Sequence, residues 1–181
     1  SDRFALAASP WYGDLEQTLP VDPARSKFEA VSERLRGVMA SAGVRLIGLQ
    51  ARVIGERQYN VRVAATRNKA AVLLEQVFSL IDYATRRCGD NDLYVRVDRL
   101  GGRSEYRDLL SLSFPDRHVH VTEQTESASR YRLASQRSDW FIGFEVEADQ
   151  KHLPVALASM AAKYLREALM TRFNAFWQSL L

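Results

Sequence analysis

The chain has 181 residues, of which 46% are hydrophobic and 26% charged, values that suit one globular domain with a buried core. Its formal net charge of +3 permits a polyanionic partner without requiring one. The sequence contains one cysteine, Cys88, which excludes an internal disulfide and a cysteine-rich zinc site. We therefore expect a reducing, cytoplasmic location. No run is long and apolar enough to predict a membrane span, and no signal peptide is predicted at the start.

The first half of the chain is predicted to be mainly helical. Residues 1–21 contain Pro10, Gly13 and Pro20 and are expected to be extended. Asp22 and Pro23 predict the start of a helix that ends at Gly43. The apolar residues of that helix recur at helical spacing: Phe28, Val31, Leu35 and Val38. Residues 44–54 predict a strand, residues 59–64 a second short strand, and residues 68–83 a helix.

The second half is predicted to alternate strands and helices, which is typical of an α/β domain. Strands are predicted over residues 93–98, 118–122, 129–134 and 140–147. Gly101 and Gly102 follow the first of these strands, and a short helix is predicted over residues 104–112. A long helix opens at Pro154 and runs to about residue 180. Its predicted apolar face consists of Leu157, Met160, Ala161, Tyr164, Leu165, Ala168 and Leu169.

Two acidic residues stand at the ends of predicted strands. Asp98 closes the apolar strand 93–98, and Asp149 lies between the strand 140–147 and the long helix. Carboxylates anchored at the edge of a sheet are suitable oxygen ligands for a hard divalent cation. The alternatives are that Asp98 is a turn residue before the glycine pair and that Asp149 helps to start a helix.

The segment from Asp149 into the long helix resembles a signature of type 2 ribonuclease H, the ribonuclease HII family. In that signature an acid is followed by a helix with serine, lysine and arginine at the spacing of Ser159, Lys163 and Arg166. Val97-Asp98 is similar to the strand-ending acid of the family, and the order of elements agrees. The resemblance covers residues 92–177. It implies that residues 1–181 form one ribonuclease H-like domain, with a mixed central sheet flanked by helices.

The chain also departs from the family pattern. Glu167 stands where an aspartate is usual, and Gly101-Gly102 follows the first acid. The family's first strand carries an Asp-Glu dipeptide with two further metal ligands, and the sequence contains no such dipeptide. We therefore expect a divergent member that is incomplete at both ends. With half of the ligand set, this chain is expected to cleave little or nothing by itself.

The resemblance implies a metal-dependent endonuclease that cleaves the RNA strand of RNA–DNA hybrids, or at a ribonucleotide embedded in a duplex. Asp98 and Asp149 would be the catalytic residues and would bind Mg²⁺ or Mn²⁺. Contacts with the substrate are expected from Ser159, Lys163, Arg166 and Arg103. Two alternatives stay open: a non-catalytic nucleic-acid-binding or assembly module on the same fold, and a structural domain in which Asp98 and Asp149 lie far apart.

Other candidate groups carry weaker signals. His118 and His120 lie two positions apart on a predicted strand and would share a face, yet no further metal ligand joins them. Several arginines surround Asp98 in the sequence, either as a solvated face or as phosphate ligands. They are Arg96, Arg99, Arg103, Arg107 and Arg117. Tyr106, Arg130 and Tyr131 are candidates either for stacking on bases or for ordinary buried contacts.

Overall fold

The computed structural model describes residues 9–12 and 25–181. It confirms a mixed α/β fold. The helices are a 3₁₀ turn (Pro10–Tyr12), α1 (Arg25–Ser41), α2 (Glu56–Thr66), α3 (Lys69–Cys88), α4 (Arg107–Ser113), α5 (Ala148–Lys151) and α6 (Leu153–Gln178). The strands are β1 (Leu93–Asp98), β2 (His118–Gln124), β3 (Ala128–Ala134) and β4 (Trp140–Glu145).

Within the described residues the strands form one four-stranded sheet in the order β1-β4-β3-β2. The last three strands along the chain, β2, β3 and β4, are an antiparallel meander. Strand β1 pairs in parallel with β4, with Asp98 opposite Glu145. The carboxyl ends of β1 and β4 therefore lie at the same edge of the sheet.

One face of the sheet packs against α3 and α4 and forms the core. Alternation along each strand directs the apolar side chains to this face. Tyr106 of the loop before α4 stacks on Phe144, with ring centroids 3.7 Å apart, and the hydroxyl of Tyr131 accepts the N–H of Tyr106 at 2.9 Å. The buried cluster consists of Leu74, Ile81, Tyr106, Leu110, Tyr131, Leu133, Ile142 and Phe144.

The opposite face of the sheet, here called the polar face, carries rows of residues that lie side by side across the strands. The first row is Tyr94, Phe141, Arg132 and His120. The second row is Arg96, Gly143, Arg130 and Glu123. The third row is Asp98, Glu145 and Ala128. Planar, basic and acidic groups thus follow one another from the amino end to the carboxyl end of β1.

Most predicted elements are confirmed, and two strand predictions are wrong. Residues 44–54 pair with no strand in the described part of the chain, although their aliphatic composition favours an extended conformation. Composition can indicate extended backbone, but a strand also needs a partner for its hydrogen bonds. Residues 59–64 lie inside α2, where helical hydrogen bonding prevails over local strand preference. The predicted extended segment 1–21 lies outside the described residues except for 9–12, as does the predicted helix start at Asp22-Pro23.

The apolar face predicted for the long helix is partly wrong. Leu157, Met160 and Tyr164 are exposed, whereas Leu165 and Leu169 are half-buried. The short helix α5 precedes α6 and was not predicted, because its four residues carry no helical periodicity. The contact face of α6 is thus set by its attachment to β1, α5 and the 3₁₀ turn. Among the helices of the described residues, none combines the length and apolarity that crossing a membrane requires.

Candidate functional site

The two predicted metal-binding acids lie at the same edge of the sheet. Asp98 is the last residue of β1, and its Oδ1 accepts the backbone N–H of Ala148 at 3.2 Å. Ala148 is buried at the start of α5 and directly precedes Asp149. Asp98 and Asp149 are both exposed. The parallel pairing of β1 with β4 brings the acids to one edge, because α5 follows β4 after a single tight turn.

A third carboxylate at this edge, Glu145, is held by basic side chains. Glu145 is only 2% exposed. Its Oε1 lies 3.1 Å from Nε of Arg130 and 3.4 Å from Nε of Arg96, and its Oε2 lies 3.1 Å from Nε2 of His152. Arg130 also pairs with Glu123. This cluster links β1, β3, β4 and the start of α6.

Gly143 makes room for the cluster. It lies between Arg96 and Arg130 in the second row of the polar face. A Cβ atom at this position would meet Oε1 of Glu145 at 3.1 Å, and carbon atoms of both arginine side chains at 3.5 Å. The glycine therefore lets the two arginines converge over β4 on one carboxylate oxygen.

The environment of Glu145 keeps it ionised. Burial alone would raise its pKa, but hydrogen bonds from Arg130 and His152, together with their charges, outweigh burial and lower the pKa to about 2. The same contact raises the pKa of Arg130. With one oxygen bound by two arginines and the other by His152, Glu145 is a structural carboxylate and is not placed as a free ligand.

The residues predicted to contact substrate are distributed over two regions. Ser159, Lys163 and Arg166 all lie on α6, which begins beside the edge that carries Asp98. Ser159 is half-buried, and Lys163 and Arg166 are exposed. Arg166 contacts the neighbouring Glu167 at 3.1 Å on the helix surface.

Arg103 lies apart from the two acids. It lines a cleft of about 360 Å³ together with Arg107, Val121 and Tyr131, among other residues. Val121 and Tyr131 belong to the core face of the sheet, opposite the face from which Asp98 projects. Arg103 thus lines a cleft on the core side of the sheet, whereas Asp98 belongs to the polar face.

The other candidate groups have mainly structural contacts. Arg99 donates to Ser129 Oγ at 3.3 Å, and Arg117 donates to the carbonyl of Ser138 at 2.7 Å and covers the ring of Trp140. Tyr106 and Tyr131 are buried in the core, which agrees with their reading as ordinary buried contacts.

His118 and His120 lie on β2, which is the outer strand on the other side of the sheet from β1. Over residues 9–12 and 25–181, no group of three or more histidine, cysteine, aspartate or glutamate residues is placed to hold a metal ion. Within these residues, the predicted metal ligands Asp98 and Asp149 are thus not joined by a third acid, histidine or cysteine in such a group.

Several residues of this region were not predicted from the sequence. Glu145, Gly143 and His152 form the charged cluster, and Tyr94 stacks on Phe141 in the first row of the polar face. The available signal was the alternation in Trp140–Glu145, which puts a glycine and a glutamate on the same face as Phe141. The pairing partner of β4 was not evident, because parallel pairing leaves no short turn in the sequence.

Comparison with protein-family models, with curated proteins and with solved structures finds no match to this chain.

Proposed function

We propose that this protein is a metal-dependent endonuclease of the ribonuclease HII kind, which cleaves the RNA strand of RNA–DNA hybrids. The observation that supports the proposal is the hydrogen bond from Ala148 N–H to Asp98 Oδ1, beside Asp149 at the shared edge of β1 and β4. This hydrogen bond joins the carboxylate of Asp98 to the residue that precedes Asp149, although the two acids are 51 positions apart in the sequence.

The donor atoms suit Mg²⁺ or Mn²⁺. Both acids offer hard carboxylate oxygens and are exposed to solvent. Mg²⁺ keeps several water ligands and is often bound by one or two carboxylates together with substrate phosphates. Asp98 and Asp149 would hold the ion, whereas Glu145 is occupied by Arg130 and His152. When bound, such an ion supplies an activated water and stabilises charge on the phosphate.

The chain's own residues would position the two acids and the substrate. The N–H of Ala148 fixes the orientation of the Asp98 carboxylate, and the Glu145 cluster ties β4 to the residue that precedes α6. Lys163 and Arg166 are exposed cations on α6 and are candidates for phosphate contacts. Arg103, on the opposite side of the sheet, would reach only a distant part of the substrate.

The test compares Asp98→Asn and Asp149→Asn with the parent chain. Asparagine preserves the size of the side chain but removes the charge that holds the cation. We expect Mn²⁺ uptake in the presence of hybrid, followed by electron paramagnetic resonance, to be lost in both variants. Any Mg²⁺- or Mn²⁺-dependent cleavage should fall by about 100-fold or more. Hybrid affinity at fixed salt should change little, because phosphate contacts dominate it.

Asp116→Asn is the matched control, since Asp116 is an exposed acid in the loop before β2. Circular dichroism must first show that each variant is folded, because Asp98 also accepts a backbone hydrogen bond. A folded Asp149→Asn chain that takes up Mn²⁺ and cleaves hybrid as the parent does would exclude Asp149 as a ligand.

A second candidate function is a non-catalytic nucleic-acid-binding or assembly module. It is favoured by the absence from the sequence of the Asp-Glu dipeptide, which in the family supplies two further metal ligands. This candidate predicts that the parent chain binds hybrid with no Mn²⁺ uptake and no cleavage. The Mn²⁺ titration in the presence of hybrid therefore separates the two functions.

A further inference from the structure

We infer that the first row of the polar face, Tyr94, Phe141, Arg132 and His120, is a stacking surface for the bases of single-stranded nucleic acid. The inference rests on the proposed function only in taking nucleic acid as the partner. It adds a binding site, a recognition mode and a preference for unpaired bases, none of which requires a metal ion.

The aromatic half of this row is a stacked pair of rings, one on the outer strand β1 and one on its neighbour β4. The rings of Tyr94 and Phe141 lie 4.8 Å apart between centroids and are tilted by only 10°. Tyr94 belongs to the edge strand β1, and it is 66% exposed despite its contact with Phe141. One side of the tyrosine ring is thus covered by Phe141, and much of its remaining surface is open to a third planar group.

The other half of the row continues with planar groups. Arg132 lies beside Phe141 on β3, and His120 lies beside Arg132 on β2. Arg132 contacts Asp139 through Nε at 2.7 Å and through Nη2 at 2.6 Å. These contacts lie along one edge of the guanidinium and hold its orientation. They leave the flat faces for stacking, and the side chain is 48% exposed.

The row has suitable dimensions and chemistry for a short single strand. Four neighbouring strands span about 14 Å, since strands lie about 4.8 Å apart. Unpaired bases stack on tyrosine, phenylalanine and histidine rings and on arginine planes, with little dependence on base identity. A duplex keeps its bases stacked inside, so this row fits an unpaired segment better than it fits a hybrid helix.

The row is also continuous with the candidate metal edge. Tyr94 and Asp98 lie on the same face of β1, four residues apart, which corresponds to about 13 Å along the strand. Arg96 and Arg130 lie in the row between them; both contact Glu145, and their side chains are 28% and 40% exposed. A single strand bound along the row therefore has one end at Tyr94, about 13 Å along β1 from Asp98.

The test is fluorescence anisotropy with labelled 12-nucleotide probes of one sequence: single-stranded RNA, single-stranded DNA and the RNA–DNA hybrid. All titrations are made in EDTA at fixed salt, so neither metal binding nor cleavage affects them. We expect the parent to bind single strands more tightly than the hybrid. Tyr94→Ala should weaken single-strand binding by roughly 5- to 100-fold, the usual effect of losing one stacked base.

Two matched variants separate stacking from folding. Tyr94→Phe keeps the ring and should bind as the parent does, whereas Tyr94→Leu keeps apolar bulk on the strand and should bind as weakly as Tyr94→Ala. Tyr164→Ala removes another exposed tyrosine, on α6 and outside the row, and should have no effect.

A probe with abasic sites gives the decisive readout. Removing bases should weaken binding to the parent more than binding to Tyr94→Leu, which has already lost one of the stacking partners. If the parent binds abasic and intact probes equally, or prefers the hybrid, the row does not stack bases and the inference is wrong. Because no metal is present, this result is independent of the outcome for Asp98 and Asp149.

Discussion

Glu145 occupies a position that usually destabilises a carboxylate, at the buried end of a central strand. It remains charged because Arg130, Arg96 and His152 converge on its two oxygens. A buried ion pair of this kind contributes little compared with apolar packing, but removing one member leaves the others uncompensated. The carboxylate therefore matters to the protein mainly as the common partner of two arginines and a histidine.

The depressed pKa of Glu145 predicts a defined dependence of stability on pH. Its pKa is about 2 in the folded chain, against 4.5 as the ordinary value. The unfolded chain therefore takes up the proton first as pH falls. Relative to its protonated form, ionised Glu145 stabilises the fold by on the order of 3 kcal/mol. This stabilisation is fully present above pH 4.5 and is lost as pH falls towards 2.

Urea unfolding of the parent and of Glu145→Gln, at several pH values between 7 and 2.5, measures this contribution. We expect the two free energies of unfolding to differ most at pH 7 and to converge as the solution is acidified. Glu147→Gln is the control, since Glu147 is an exposed acid two residues further on. A constant difference between parent and Glu145→Gln across this range would show that Glu145 has an ordinary pKa.

Among single residues, the sequence predicted some members of the candidate site and missed others, and the reason for the difference is identifiable. Asp98 and Asp149 were predicted because each stands at or just after the end of a predicted strand and matches the position of an acid in the ribonuclease HII signature. Glu145 was missed because its partners Arg96, Arg130 and His152 come from three other elements. Such contacts depend on which strands are neighbours, and local pattern carries no information on that.

Strand β4 has a glycine at its centre, which would ordinarily weaken a strand by loss of backbone entropy and packing. Here the absence of a Cβ atom is used by Arg96 and Arg130, which pass over Gly143 to reach Glu145. The strand thus loses some intrinsic stability, and the sheet gains a charged link between β1 and β3.

Gly143→Ala is predicted to destabilise the protein, although alanine is the better residue for a strand. The added Cβ atom would meet Oε1 of Glu145 at 3.1 Å and would displace the carboxylate or its arginines. We expect a loss of about 1–3 kcal/mol, as for overpacking in a filled site. Gly102→Ala is the control, because a Cβ atom there meets nothing within 4 Å. Urea unfolding that shows Gly143→Ala to be as stable as the parent would contradict this account.

Element predictions succeeded where burial and local pattern agree. Leu93–Asp98 was predicted with its observed bounds, because Leu93, Val95 and Val97 alternate with polar residues beside a turn. Residues 44–54 carry a similar aliphatic signal but remain unpaired in the described part of the chain. The difference between these segments lies in the presence of a partner strand, which is a property of the fold and not of the segment.

Over the whole molecule, the short turn at Pro10–Tyr12 connects distant parts of the chain. The ring of Trp11 lies within 5.6–6.0 Å of the rings of Phe173, Phe176 and Trp177 near the end of α6. The hydroxyl of Tyr12 donates to Glu56 at the start of α2, at 3.0 Å. The turn therefore bridges α2 and the last turns of α6.

Trp11→Ala is predicted to loosen the end of α6 more than the sheet. Removing the indole deletes its three aromatic contacts with α6, and we expect a cost of about 1–3 kcal/mol, below that of a fully buried tryptophan. Hydrogen exchange read by mass spectrometry should show faster exchange over residues 170–178, with β3 unchanged. Leu112→Ala, at a residue that is 80% exposed, is the control. Uniform acceleration in helix and sheet alike would indicate that the turn supports the entire fold instead.

The parallel pairing of β1 with β4 also has a consequence for how the chain assembles. The meander β2-β3-β4 joins neighbours through short loops, whereas β1 meets β4 across 47 residues. Closing the longer loop costs more chain entropy, and such distant contacts slow folding. Asp98 and Asp149 become neighbours only when this loop closes. A nascent or partly unfolded chain that retains only the β2-β3-β4 meander has three paired strands. It lacks the edge at which Asp98 and Asp149 come together, because that edge also needs β1.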